Sequence, residues 1–570
     1  MRVALDIETS MDHNTIHLCV TQEIDTGIVR VWKSKEGLWD YLKDADLIVA
    51  HNGIGFDFPV LNRVWGTKIS LKQAYDTLVV SRLLEPTREQ GHSLDAWGKE
   101  LGVQKLDYKA TWQWMMNRRE EYEGECFDKP IDSLLEHYCR RDVGVLNRLF
   151  THLGDLVDRN GFSADSITLE HQVAAIIKKQ ETNGFKLDVV HATCLLSELK
   201  SKMGIIYDKM QELYPPYEVE RFSEKTGKKL KSEIVTFNPA SRQQIAEKLI
   251  GLGWKPEKKT EKGSVIVDEA VLTSLKYPIA GLLAEYMMLQ KRIAQIESWL
   301  EVMGENGRVH GRVITNGAVT GRATHMKPNM AQIPNSGSPY GPECRQCWTV
   351  EEGNVLVGAD ASGLELRMLA HYMKDESYVK TVCEGSSKDG TDIHTINQKA
   401  AGLQTRDQAK TFIYGWMYGA GAAKIGQIVG GSAKDGQRLI DAFLKGTPAL
   451  KRLRDKVSLY ASKGYVPGLD GRKIWVRSEH AALNSLLQGA GAIVMKKALV
   501  LFDQTVRKNK WDIKLVAWVH DEVQIECKPE IADKVGQAFV QAIKDAGVVY
   551  NLRCPLSGEY AVGANWRETH

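Results

Sequence analysis

The chain has 570 residues, of which 43% are hydrophobic and 26% charged. That composition suits a folded protein with substantial cores, and the length suggests about four folding units. Its 75 Lys and Arg nearly balance 72 Asp and Glu, leaving a net charge of +3; this excludes a global cationic field, so any grip on a polyanion must come from local patches. No run approaches the ~18 uninterrupted apolar residues of a membrane helix. The N-terminus (MRVALDIETS) puts two carboxylates where a signal peptide would be apolar. Nine scattered cysteines fit reduced thiols in a cytoplasmic protein. The pair Cys344 and Cys347 has no second pair at ligand spacing, so no zinc site is expected.

Residues 1–160 alternate strand-like runs (Val3 to Ile7, Leu47 to Ala50) with a helical pattern over 131–150, which predicts an α/β domain. Asp6 and Glu8 lie two apart on a strand and leave by the same face. Adjacent carboxylates raise each other's pKa unless a cation neutralises them, and hard oxygens suit Mg2+ or Mn2+. Alone, such a pair is commonplace. Asp57 follows in HNGIGFDFP, where Gly53 and Gly55 mark a loop entering a helix. In the helix over 131–150, Ile131, Leu134, Leu135, Tyr138, Leu146 and Leu149 form an apolar stripe, and Asp142 falls on it. A core-facing carboxylate is costly without a metal or donors; a core hydrogen bond is the alternative. Four acids so spaced suit two metal ions, one activating water and one stabilising the leaving oxygen. The pattern loosens near 151–165, a domain boundary.

From about 170 to 300 the chain reads as helices, for instance Leu282 to Trp299. Two basic stretches interrupt them, 221–231 (RFSEKTGKKLK) and 255–262 (KPEKKTEK). They read either as solvated loops or as lysines gripping a duplex backbone without sequence preference. From about 305 strands and helices mix, an α+β pattern.

Three segments there carry chemistry. In NVLVGADASGLELRMLAHY a strand ends at Asp360, and Ser362-Gly363 turns the chain into a helix bearing Glu365 and Arg367. In TRDQAKTFIYGWMYG, Thr405 and Gln408 are spaced as a capping box. Arg406, Lys410, Tyr414 and Tyr418 then recur every fourth residue along one face. Cations at a helix N-terminus make an anion site, and aromatics further along offer a stacking surface for a base. In KLVAWVHDEVQIEC two strand-like runs flank His520-Asp521-Glu522, a hairpin with acids at its tip. Brought together, Asp360 and Asp521 supply the carboxylates of a two-metal phosphoryl-transfer site.

These three segments, in this order, resemble the polymerase motifs of family A DNA polymerases, which include bacterial DNA polymerase I and replicases of short-tailed phages. Thr320-Gly321-Arg322, PNMAQIP, Asp392-Ile393-His394, LNSLLQGAGA and Asn565-Trp566 extend the likeness over nearly the whole chain. The N-terminal acids resemble the family's proofreading exonuclease set: Asp6 with Glu8, Asn52 with Asp57, and Tyr138 with Asp142. The resemblance implies a ribonuclease H-like α/β exonuclease domain (1–160), then a right-hand α+β polymerase domain (161–570). In the latter the thumb takes 170–310, the palm 311–385 and 475–570, and the fingers 386–474. It implies DNA-templated DNA synthesis with 3′→5′ proofreading, in the role of a phage genome replicase.

By the same resemblance Asp360, Ala361 and Asp521 hold two Mg2+, and Asp6, Glu8 and Asp142, with Asp57 beside them, hold two more; Mn2+ can substitute. Tyr138 orients the attacking water. Arg406, Lys410 and His394 hold the triphosphate, and Lys410 protonates the departing pyrophosphate. Tyr414 and Glu365 exclude a 2′-hydroxyl, and Tyr418 lies near the templating base. Arg322, Gln332, Asn484, Gln488 and His520 contact the primer–template. Glu522 is either a weak ligand or a support for one. The implied partners are primer–template DNA, dNTPs, a phage helicase-primase and a single-stranded DNA-binding protein, around a monomer in the host cytoplasm.

Two departures matter. The chain starts at the Asp6 strand, so no 5′-nuclease activity is expected. The thioredoxin-dependent coliphage replicase carries a long thumb insertion, which the interval from Asp142 to Asp360 is too short to hold. No use of thioredoxin by that route is expected. Tyr414, a phenylalanine in some family members, implies ready acceptance of dideoxynucleotides. Loss of Asp360, Asp521 or Lys410 would have favoured an exonuclease fused to a DNA-binding module. Glu365, Tyr414 and the nuclease acids argue against a single-subunit RNA polymerase. A bacterial or organellar repair polymerase keeps the chemistry but is disfavoured by the compact chain.

Overall fold

A computed structural model describes residues 1–117, 125–223, 225–256, 259–260 and 262–570. Strands β1 (Arg2–Thr9), β2 (Ile16–Glu23), β3 (Val29–Trp32), β4 (Leu47–Ala50) and β5 (Ala74–Asp76) form a mixed sheet in the order β3-β2-β1-β4-β5. β1 runs antiparallel to β2 and parallel to β4. As a central strand it is buried on both faces. Val3, Leu5 and Ile7 enter one hydrophobic cluster, whereas Ala4 enters the cluster on the other face, with Leu135, Cys139 and Val143. Strand alternation puts Asp6 and Glu8 on the Ala4 face, under the helix that carries those three residues.

Two helices of this unit bear on function, α1 (Asp57–Val60) and α2 (Thr77–Leu84). They are followed by the long α3 (Asp132–Asn160). The loosened pattern near 151–165 is mostly helix: α3 runs on to Asn160 and ends where Gly161 turns left-handed at φ 62°. Its last turns show polar residues to solvent, which blurs periodicity without ending the helix.

Helix α4 (Ala164–Asn183) joins this unit to the rest. His171 on α4 accepts the backbone N–H of Asp76 at 2.9 Å. Glu170, fully buried, receives Arg472 and Lys496 at 2.6 Å each, and Arg472 also binds Asp470 at 2.6 Å. Stripping one partner from such a buried network costs about 3–5 kcal/mol, so the join is firm.

Beyond it, α5 (Val189–Leu213) leads to strands β6 (Tyr217–Phe222) and β7 (Lys229–Val235), and then to α6 (Pro278–Glu301). Helices α5 and α6 pack through Leu195, Leu199, Leu283 and Leu289. The stretch 221–231, expected to be a loop, lies largely in the β6–β7 hairpin. Arg221 pairs with Glu233 at 3.1 Å, and Lys229 pairs with Glu220. Charges alternating with apolar residues suit a strand exposed on both faces, a signal that its basic character masked. Residues 224, 257, 258 and 261 of the two basic stretches lie outside the described residues.

The remaining elements follow in chain order: β8 (Val355–Ala361), α7 (Leu364–Met373), α8 (Ile393–Ala401) and α9 (Arg406–Met417). Then come α10 (Ala482–Asn509), β9 (Ile513–Val519), β10 (Glu522–Cys527), α11 (Ala532–Val549) and β11 (Gly558–Gly563). The four strands make an antiparallel sheet in the order β9-β10-β8-β11. Helix α10 and its leading turn, Glu479–Asn509, are by length and mean hydropathy apolar enough to cross a membrane, although Gln488, Lys496 and Lys497 interrupt any continuous apolar run. The segment is 83% buried, as the core helix beneath the sheet.

Candidate active sites

The first site lies where β1 meets α3. Ligand atoms of Asp6, Glu8 and Cys139 fall within 4.8 Å of one another. Cys139 on α3 donates its thiol to the Asp6 carbonyl and carboxylate at 3.5 Å each. Asp57 opens α1 and is delivered by the loop after β4. Asp76 holds that loop, its carboxylate accepting the N–H groups of Asn52 at 2.9 Å and Ile54 at 3.0 Å while capping α2. Only glycine fits at position 53, where a Cβ would stand 2.5 Å from that of Ala50.

Asp142 is buried one turn after Tyr138. Its Oδ2 pairs with Lys105, and its Oδ1 is buried without a hydrogen-bond partner among the described residues. Lys105 also donates to the Tyr138 hydroxyl at 3.2 Å, and the Tyr138 ring stacks on Tyr108 at 5.2 Å. Burial, then the charge of Asp142, lifts Asp6 to about 7. Burial and Asp6 push Glu8 and Asp57 well above the usual carboxylate range. Four carboxylates against one ammonium, with one buried oxygen unsatisfied, fit a hard divalent cation.

The second site sits at one end of the β9-β10-β8-β11 sheet. Asp360 closes β8 opposite Glu522, and Asp521 occupies the tight β9–β10 turn. The backbone N–H of buried Ala361 donates to the Asp521 carbonyl at 3.1 Å, which fixes the two aspartates side by side. Burial, then the charge of Glu365, raises Asp521 to about 6. Burial, Glu559 and Glu522 raise Asp360. This site too is short of positive charge at its carboxylates and fits divalent cations. His520 takes a left-handed φ of 59° and has a buried, unpartnered Nδ1.

Around these acids, Glu365 on α7 binds Arg322 at 2.9 Å and accepts the Tyr418 hydroxyl at 3.3 Å. Helix α9 starts at a complete capping box, Thr405 with Gln408. Its Arg406 pairs with Asp392 at 2.9 Å, and Asp392 in turn caps α8, which carries His394. Lys410, one turn on, is exposed. The Tyr414 ring lies 6.1 Å from His394 and is stacked at 6.3 Å on Tyr418. Asn484 and Gln488, one turn apart on α10, are half-buried. Gln332 is exposed in a short turn, and its carbonyl accepts from Gln295 at 2.9 Å.

The family described as DNA polymerase family A matches residues 216–568. This chain belongs to DNA polymerase family A. Two relatives, the DNA-directed DNA polymerases of Enterobacteria phage T3 and Escherichia phage T7, are each 35% identical to it. The T3 match covers 93% of both chains and the T7 match 92% of both. The T3 alignment spans 665 positions, more than this chain's 570 residues, so that relative carries segments absent here. DNA polymerase I of Aquifex aeolicus (strain VF5) is 29% identical over 91% of this chain and 88% of its own. In fold the polymerase is similar to the POL domain of Pol1 from M. smegmatis, solved in complex with DNA primer-template and dNTP. The TM-score is 0.78 at 20% identity, over 100% of this chain and 96% of that one.

Several groups of the polymerase escaped the sequence reading. Lys105 sits in an irregular segment with no periodicity to flag it, and Cys139 looked like one more core position. Glu522, undecided from sequence, is caged: its Oε1 accepts from Gln524 at 2.7 Å and from Trp566 at 2.5 Å, with Arg345 at 3.8 Å. Its Oε2 meets His570 at 3.1 Å. Both oxygens of Glu522, which pairs with Asp360 across the sheet, are thus engaged.

Proposed function

We propose that this polymerase copies DNA at the Asp360–Asp521 site and degrades mismatched 3′ ends at the Asp6–Glu8–Asp57–Asp142 site, acting as a phage genome replicase. The strand order β3-β2-β1-β4-β5 supports a ribonuclease H-like exonuclease domain over 1–160. Over 161–570, the β9-β10-β8-β11 sheet suits a palm, α8 and α9 part of the fingers, and α5 with α6 a thumb. The observation that carries the reading is the Ala361 N–H to Asp521 carbonyl bond, which sets two half-buried carboxylates side by side at one end of the β9-β10-β8-β11 sheet.

Asp360, Ala361 and Asp521 would hold two Mg2+, and Asp6, Glu8 and Asp142, beside Asp57, two more, with Mn2+ as a substitute. Bound there, such ions activate an attacking oxygen and neutralise charge on the leaving one. The chain's own groups supply the rest. Arg406, Lys410 and His394 bind the triphosphate at the start of α9, where the helix dipole adds to their charge. The primer 3′-oxygen bonds to the α-phosphorus as the bond to pyrophosphate breaks, and Lys410 gives its proton to the departing pyrophosphate. Glu365 and Tyr414 crowd the sugar against a 2′-hydroxyl. Tyr418 stacks beside Tyr414 near the template base. Arg322, Gln332, Asn484, Gln488 and His520 line the primer–template path. In the nuclease, Tyr138 orients a water whose oxygen bonds to phosphorus as the P–O3′ bond breaks, releasing a nucleoside monophosphate. A helicase-primase and a single-stranded DNA-binding protein complete the replicase reading.

Primer extension with the wild type, Asp360→Ala and Asp6→Ala on matched and mismatched primers tests both halves. Asp360→Ala should lose extension by ~1,000-fold, about 4 kcal/mol, and keep degradation. Asp6→Ala should do the reverse. Extension by Asp360→Ala at the wild-type rate would sink the polymerase assignment.

A further inference from the structure

Lys105 is the one cation in contact with the nuclease acids among the described residues, and nothing in the polymerase motifs accounts for it. It stands on an irregular segment, with a side chain 18% exposed. Its ammonium pairs with Asp142 Oδ2 and donates to the Tyr138 hydroxyl at 3.2 Å, above a ring whose centroid is 5.0 Å away. Its charge also acts on Asp6 and Glu8. On its other side Lys105 lines a cavity of about 700 Å³ between the N-terminal unit and the rest of the polymerase. His51, Arg82, Arg88 and His92 line one wall, and Asn316 and Thr324 the other. The ammonium therefore stands between this cavity and the carboxylates.

Two observations make the contact with Asp142 more than a core ion pair. Asp142 Oδ1 is buried with no hydrogen-bond partner among the described residues, so Lys105 does not satisfy the whole carboxylate. Ligand atoms of Asp6, Glu8 and Cys139 converge within 4.8 Å, and among the described residues no cation is in contact with Asp6 or Glu8. An ammonium and a divalent ion would compete for the same Asp142 oxygen, while Tyr138 needs its donor in either state.

We propose that Lys105 is a positioning residue of the nuclease: it occupies Asp142 as counter-charge until a divalent cation displaces it, and throughout it holds the Tyr138 hydroxyl in line. This rests on the nuclease reading above. The two roles predict opposite effects of one substitution. Removing the ammonium removes a competitor for Asp142, so the metal binds tighter. It also frees Tyr138, so turnover falls.

The test uses the full chain carrying Asp360→Ala and Asp521→Ala, so that bound Mn2+ reports the nuclease site. Free Mn2+ is followed by electron paramagnetic resonance, and degradation of a single-stranded oligonucleotide is followed with Mg2+. Lys105→Gln should bind Mn2+ about five-fold tighter and degrade the strand about ten-fold more slowly. Lys105→Arg keeps the charge and should keep the parent's Mn2+ affinity, which guards against a loss caused by misfolding. Unchanged or weaker Mn2+ binding by Lys105→Gln overturns the proposal, as does unchanged turnover. Should the parent itself fail to degrade DNA while Lys105→Gln still tightens Mn2+, the nuclease reading fails and the counter-charge role stands.

Discussion

The two acidic sites solve the same electrostatic problem in different ways. At the N-terminal site, strand β1 and helices α1 and α3 press four carboxylates into a shared pocket, with Lys105 as the cation in contact. At the C-terminal site, Asp360 and Asp521 are half-buried at a sheet edge, and the cations stand apart from them. Arg322 is spent on Glu365 and Arg406 on Asp392. The first site crowds like charges together, which raises the carboxylates' pKa. The second is more open, with Arg322 and Arg406 each held on an acid away from the two aspartates. On the function proposed above, a site that trims one strand end can be narrow, whereas one that admits four different nucleotides needs more room.

The sharpest way to separate the sites is Arg406→Ala. It should lower kcat/KM for dNTP incorporation by about thirty-fold, or ~2 kcal/mol for a lost charge-assisted contact, with single-strand degradation unchanged. Equal loss of both activities would mean that the sites are not independent. Tyr414→Phe should act more narrowly. Chain termination at a fixed dideoxynucleotide ratio should become about ten-fold less efficient, with ordinary extension intact; equal termination by the two proteins would remove Tyr414 from the sugar pocket.

The smallest effect concerns stability. Asp6 is raised to about 7, and Glu8 and Asp57 are pushed well above the usual carboxylate range, so their protonated forms favour the native state. That stability is present in acid and is lost as pH rises through about 7. In EDTA the melting temperature should fall between about pH 5 and about pH 8. Asp6→Asn should flatten the fall by about two to four degrees, and Mg2+ should restore most at the alkaline end. The Asp521 contribution should appear lower, near about pH 6. A melting temperature that climbed with pH in EDTA would break the contrast.

Much of each site was legible in the chain. The two-residue spacing of Asp6 and Glu8, the helical register of Tyr138 and Asp142, and the capping box before Arg406 are local patterns that follow from backbone geometry. The β6–β7 hairpin was misread because its basic residues outweighed its alternation. The identity of the acids, their elements and the order of the three polymerase segments were therefore determined by sequence alone. What only the tertiary structure decided was the partnering: Lys105 on Asp142, Asp76 holding the Asp57 loop, Glu170 between Arg472 and Lys496, and the cage around Glu522. Those contacts join residues far apart in the chain through long side chains. Local periodicity encodes which face a residue takes, not what it meets across the interface.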